Sequence, residues 1–396
     1  MKMENNMRDV SHVLLIYRKF IPSIYLCGHS QMKMLEAQRL IEYRTREVDH
    51  LNRSDLQWAD VVLLGRLDSW FELQVVRWLR DMGKYLVYVI DDDLLNTPSA
   101  LSSTKYYHSQ AVQQRILEMM RLSDAILSPS PLILERYARE DQGRIILEEP
   151  AVEPVSYVSH TGNRSVKVGF AGSIDRTEDL ERLLGEALLR IKNRYGECVQ
   201  FEFFGAIPSF AEQIGARVWP YCTSYEKYRK QLNAFGWDIG LAPMPDTPFH
   251  ACKHYIKFIE YAASGCLGIF SDVQPYVRLK DIGVPAVFCG NRPEEWEKAL
   301  SALIEDEARR EKARKTLCKV AQERFDVTQI AKTLYDSQPQ VFDFQAPLVD
   351  CRKPVGLYRV VGYGDRVVQL VRMHGWGFPA YAVGKMGGIL HQTKKK

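Results

Sequence analysis

Apolar and polar positions along this chain come in blocks. Short runs that are apolar almost throughout, HVLLIY (12–17), ADVVLLG (59–65), YLVYVID (85–91), AILSPS (125–130) and RIILEE (144–149), predict strands. Between them, QMKMLEAQRLIEY (31–43), SWFELQVVRWLRDMG (69–83) and QAVQQRILEMMRL (110–122) repeat apolar residues every three or four positions and predict helices. Strands apolar on both faces suit a parallel sheet covered by helices, so the alternation predicts a doubly wound α/β domain. A polar cluster, VSYVSHTGNRS (155–165), reads as a linker. The grammar then restarts with strands in VKVGFAGS (166–173), QFEFFGA (200–206), ARVWP (216–220), DIGLAPM (238–244), CLGIFSD (266–272) and AVFCG (286–290). Helices are expected over 178–196, 252–264 and a block at 293–336. The expectation is two Rossmann-like domains, 1–160 and 165–336, followed by an extension over 340–396. Two parallel sheets facing one another would frame a cleft, and ligands bind beyond the carboxyl ends of such strands.

Composition narrows the class. Hydrophobic residues make up 46% and charged residues 26%, the balance of a soluble globular protein. No run of about 18 apolar residues predicts a spanning helix. The start, MKMENNMRDVSHVLLIYRKF, lacks the apolar centre of a signal peptide, so a cytoplasmic chain is expected. The eight cysteines form no C-x-x-C pair, which fits reduced core thiols and no structural zinc. The net charge of +4 is uneven: residues 352–396 hold nine Lys and Arg against one acid, Asp365, a surplus of +8 over a body at −4. In that tail DRVVQLVRMHGWGF interleaves Arg366 and Arg372 with Val367, Val368, Leu370, Val371 and Trp376, and three lysines close the chain. The pattern suits an anionic membrane surface at the inner face, or else packing on the body or oligomerisation. No nucleic-acid module accompanies the charge.

The segment FHACKHYIKFIEYAASGCLGIF (249–270) carries the most chemistry. If 252–264 is one helix, Lys253, Lys257, Glu260 and Ser264 share a face, opposite Ile256, Ile259 and Ala263. Lysines near a helix start favour an anion, and a carboxylate one turn on can accept from sugar hydroxyls. A solvated amphipathic helix with a Lys–Glu pair is the plainer alternative. The run K-x-x-x-K-x-x-E-Y-x-A-x-G (Lys253, Lys257, Glu260, Tyr261, Ala263, Gly265) resembles the donor-nucleotide signature of GT-B glycosyltransferases, nearest the retaining enzymes of family four with their K-x-x-E-x-x-A-x-G-x-P motif. The resemblance implies that Lys257 meets a donor diphosphate and Glu260 a ribose. VGFAGSIDRTEDL (168–180) resembles the first strand and turn of that family's second domain, with Gly172 and Ser173 at the turn and Arg176 in reach of a phosphate. One departure stands out: where many such enzymes carry a second glutamate, this chain has Cys252. Asp246 and His250 in the preceding loop are candidates for the donor sugar.

In the first domain, Gly28 and His29, Arg66, and Asp91, Asp92 and Asp93 fall at predicted strand ends and are the acceptor-side candidates. Three aspartates after a strand also suggest a D-x-D site for Mg²⁺ or Mn²⁺. A diphosphate that already has lysines and a helix start needs no metal, so acceptor binding or base support by Asp92, or a cap on the turn, is preferred. The expectation is a retaining, metal- and cofactor-independent sugar transferase, with Arg176, Lys257 and Asp92 nearest the reaction and a glycan or lipid-linked acceptor. A GT-B-fold sugar-nucleotide epimerase and a non-catalytic sugar-nucleotide or glycan-binding protein are the rivals.

Overall fold

The computed structural model describes residues 10–374 apart from 100, 102 and 163. Trp376 and the three closing lysines therefore lie outside the described residues. Within them, twelve strands form two six-stranded sheets, parallel at every pairing. The first contains β1 (His12–Tyr17), β2 (Glu42–Glu47), β3 (Val61–Gly65), β4 (Tyr85–Val89), β5 (Ala125–Ser128) and β6 (Gly143–Ile146), in the order β2-β1-β3-β4-β5-β6. The second contains β7 (Val166–Gly172), β8 (Val199–Gly205), β9 (Arg217–Trp219), β10 (Ile239–Ala242), β11 (Leu267–Ser271) and β12 (Val287–Cys289), in the order β12-β11-β10-β7-β8-β9. The order reverses between β1 and β3 and between β7 and β10. Crevices open at such points, and ligands collect there.

The expected helix over 31–43 is only partly one. It ends at Ala37, and Arg39 takes a positive φ of 59°. Glu42–Glu47 then runs as β2 along β1, Tyr43 opposite Val13. EYRTRE is too charged to read as a buried strand, but an edge strand pairs on one side only and tolerates charge. Of its residues Tyr43 alone is fully buried.

Packing holds the strand ends in place. Trp237 leans on Gly169 of β7, where any Cβ would overlap the indole, and its ring nitrogen donates to Glu202 at 2.9 Å. The first sheet has a core on each face. Ala331 and Leu334 of the helix Val327–Ser337 join one of these, so the chain crosses back to the first sheet after building the second. The helix Val355–His374 then lies against the helix Trp70–Asp81. Among the described residues no helix is long and apolar enough to cross a membrane.

Candidate active site

Gly172 and Gly205 end the paired strands β7 and β8, side by side in register. Gly205 has φ +93°, and a Cβ there would fall on the carbonyl oxygen of Gly172. Only glycine lets the two backbones close up in this way. The space beside them is a pocket of about 140 Å³ lined by Gly172, Ser173, Gly205, Tyr221, Tyr225, Tyr228, Lys257 and Glu260, with Pro22 contributed by the first sheet's side.

The anticipated single helix over 252–264 is broken. A short helix, Pro248–Ala251, ends at Cys252, and the next, Ile256–Ala263, begins after Tyr255. Lys253 therefore leaves the common face. Lys257, Glu260 and Ser264 remain on the second piece and at its end. Lys257 Nζ lies 2.6 Å from Glu260 Oε2 and 3.0 Å from the Tyr228 hydroxyl. Tyr228 and Tyr225 donate to the two carboxylate oxygens of Glu260 at 2.9 and 3.3 Å. Arg229, fully buried, donates to the Glu260 carbonyl (3.1 Å) and to Ser264 Oγ (3.2 Å), placing a cation on the C-terminal end of the helix where its dipole favours one. The tyrosine pair was not anticipated. Its signal was present as Tyr225 and Tyr228, three apart at the start of the helix Tyr225–Phe235.

Lys253 instead spans the cleft to the first sheet. Its Nζ meets Asp92 Oδ1 at 2.7 Å. Arg66 lies 2.8 Å from Asp91 and 3.7 Å from Asp92. Burial alone would raise the Asp92 pKa, but Lys253 and Arg66 outweigh it and hold the carboxyl below its ordinary range. Burial, with Asp92 adding, raises Asp91 in spite of Arg66. Neighbouring carboxyls pushed apart in this way mark a candidate functional pair. Asp93 departs from the acceptor-side expectation. It is fully buried and turned under the strand end, held by Arg136, Tyr137 and Asn96. Gly28 and His29 make other contacts: the Gly28 N–H donates to Gln31, and His29 meets the Tyr43 hydroxyl at 3.0 Å and Phe20 edge-on. Burial, then Lys33, lowers His29 to about 4. Among the described residues no group of three or more His, Cys, Asp or Glu is placed to hold a metal ion.

A larger cleft of about 750 Å³ runs beside Lys253, walled by Asn96 and Arg136 on one side and Asp179, Arg182, Phe249 and His250 on the other. Arg176 lies 3.4 Å from the wall residue Asp179 and donates to the Pro243 carbonyl at 2.6 Å. His250 Nδ1 lies 2.7 Å from Thr247 Oγ1. Burial, then Arg176 and Lys253, lowers its pKa to about 3, so it is neutral at physiological pH. Asp246 is exposed in the same loop. Cys252 is wholly buried and belongs to a core cluster of the first sheet, so its position is an apolar contact between the two halves. His254 completes that contact, with Nδ1 2.7 Å from Glu149 and Nε2 3.2 Å from Glu148. Burial opposes its charge, but the two glutamates win and raise it to about 9.

No family model matches the chain, and no curated protein matches it in sequence. Solved structures do match it in shape. A glycosyltransferase from Rickettsia africae aligns with a TM-score of 0.54 at 12% identity, over 84% of this chain and 99% of that one. The Anabaena protein HepE, solved in complex with UDP and glucose, gives 0.54 at 12% identity over 83% and 99%. The chain has the GT-B fold. The GT-B scaffold is not tied to one activity: a Listeria monocytogenes structure described as a candidate UDP-N-acetylglucosamine 2-epimerase gives 0.52 at 11% identity over 83% and 96%. At such identities the likeness speaks for architecture, and the chemistry rests on the residues just described.

Proposed function

We propose that this GT-B protein transfers a hexosyl group from a nucleoside-diphosphate sugar to a glycan or lipid-linked acceptor, with retention at the anomeric carbon and without a metal. The observation that carries the reading is the pairing of Lys257 and Glu260 in a pocket floored by the glycine ends of β7 and β8. A diphosphate can lie close against those backbones, at the start of the helix Ile256–Ala263, with Lys257 as counter-charge. A ribose diol would take over the hydrogen bonds that Tyr225 and Tyr228 make to Glu260. Arg176, Lys253 and Lys257 would offset the charge growing on the leaving diphosphate. Asp92 would sit on the acceptor side, released from Lys253 when the phosphates arrive. Asp91 and Asp92 already have cationic partners in Arg66 and Lys253, which favours a metal-free route. The UDP in the Anabaena complex makes uridine diphosphate sugars the first donors to try.

A cytoplasmic enzyme of surface polysaccharide or glycoconjugate assembly, meeting a membrane through residues 352–396, fits this reading. The decisive experiment follows release of nucleoside diphosphate from donor sugars with and without acceptor. Transfer requires the acceptor. Isomerisation of the donor alone would establish the epimerase reading, and tight nucleotide binding without turnover would establish a binding protein.

A further inference from the structure

Among its described residues the helix Val355–His374 has two apolar faces, one of them covered. On the inner face Val355 is buried, Tyr358 stacks on Trp70 (5.7 Å, 6° between planes) and meets Trp78 edge-on at 5.0 Å, and Gly362 lies against Phe71. Asp365 is bound by Arg115 at 2.8 Å, and Arg366 approaches Asp49 and Glu72 at 3.7 and 3.6 Å. The outer face carries Leu357, Val360, Val361, Val367, Val368 and Val371, each between 42% and 66% exposed. Positions i, i+3, i+4, i+10, i+11 and i+14 fall on one stripe of a helix. Soluble monomers rarely leave so continuous an apolar face to water.

We infer that this stripe seats the protein on an anionic lipid bilayer. Charge decides between a bilayer and a second copy. The stripe lies in a segment whose surplus is +8. Its one acid, Asp365, is already taken by Arg115. Two copies laid stripe to stripe would bring two such surpluses together, whereas anionic headgroups complement them. Just before the helix the Arg352 side chain, 89% exposed, lies 3.3 Å from Asp350, and Lys353 lies 3.5 Å from Asp81.

The docked helix also has a direction. Lys353 lies 3.5 Å from Asp81 at the end of the helix Trp70–Asp81, and Arg366 approaches Glu72 near its start. The two helices are therefore antiparallel, and Val355–His374 heads toward the carboxyl end of β3, where Arg66 stands. Lipid contact through the stripe brings the Arg66–Asp91–Asp92 edge close to the headgroups. That last step deepens the proposed lipid-linked acceptor and rests on it; the docking itself does not.

The docking test uses the full chain and sedimented vesicles and reads partition alone. Wild-type protein should partition onto phosphatidylglycerol vesicles at least about tenfold better than onto phosphatidylcholine vesicles, and the difference should shrink in high salt. The double variant Val360→Asp/Val367→Asp should lose at least about tenfold on phosphatidylglycerol while keeping its melting temperature and its nucleotide-induced thermal shift. Wild-type protein that ignores both vesicles overturns the inference, as does a variant that partitions like wild type. A variant that only turns a dimer into a monomer in sedimentation identifies a second copy as the occupant instead. Transfer to a soluble acceptor, run on the same variant, separates the two readings. Loss of docking leaves that transfer intact, and failure of transfer in wild type leaves the docking result standing.

Discussion

The two sheets follow one grammar and end in edges of opposite kind. At the first edge the loops after the strands carry side chains that satisfy one another. Arg66 holds Asp91, and Arg18 binds Asp68 and Glu72 at 2.5 and 2.9 Å. At the second edge β7 and β8 end in glycines, which leave space, and Lys257 stands beside that space. A saturated edge recognises a partner only by exchanging bonds it already has, while a glycine edge can take a diphosphate against bare backbone. Under the proposed function, this difference favours the second sheet for the nucleotide, even though the most acidic run of the chain lies on the first.

Breaking the second edge should have the largest effect. Lys257→Ala with Glu260→Ala removes two charge-assisted contacts worth about 1.5–3 kcal/mol each, so donor turnover should fall by roughly a hundredfold or more. The nucleotide-induced thermal shift should vanish while the protein remains folded. Wild-type turnover by the double variant would remove the site. His254→Gln comes next, because it joins the halves. The folded pKa of His254 is raised to about 9 from an ordinary 6.5, by Glu149 and Glu148 acting against burial. Its stabilisation, about 3 kcal/mol, is complete below pH 6.5 and is lost as pH rises through about 9. The gap in melting temperature between wild type and variant should be wide at pH 6 and close toward pH 10; a gap independent of pH would show that the ion pair does not hold the halves together. Gly205→Ala forces a side chain into a left-handed backbone against Gly172, and should cost about 1–3 kcal/mol in thermal unfolding and weaken nucleotide binding in step. Across the cleft, a double-mutant cycle on Lys253 and Asp92, each about a quarter exposed, should show a coupling near 1 kcal/mol that disappears when nucleotide is bound. Persistence of the coupling would mean that Lys253 does not turn to the diphosphate. EDTA should change turnover least, and an activity restored only by Mg²⁺ or Mn²⁺ would return the aspartates to a metal role.

Much of this was legible because burial writes itself into strands. HVLLIY, YLVYVID and CLGIFSD are covered on both faces, and each lies where its apolar run says. EYRTRE was not legible, because an edge strand needs no apolar run. The Lys253 register failed for another reason. Helical spacing across 252–264 is good, but Cys252 and His254 are drawn into contacts with the first half, and these interrupt the helix at a point no local pattern marks.

By itself the sequence determined the two α/β units, the glycine turn at 172, the Lys257–Glu260 pair and the basic tail, since periodicity, turn chemistry and charge are local properties. Only the tertiary structure decided what the three aspartates do: Asp91 binds Arg66, Asp92 reaches Lys253 from a distant part of the chain, and Asp93 is buried under its own strand. It also placed Tyr225 and Tyr228 on Glu260, and among the described residues left one apolar face of the helix Val355–His374 open to solvent. These are partnerships between residues far apart in the chain, and a carboxylate carries no local mark of which cation it will meet.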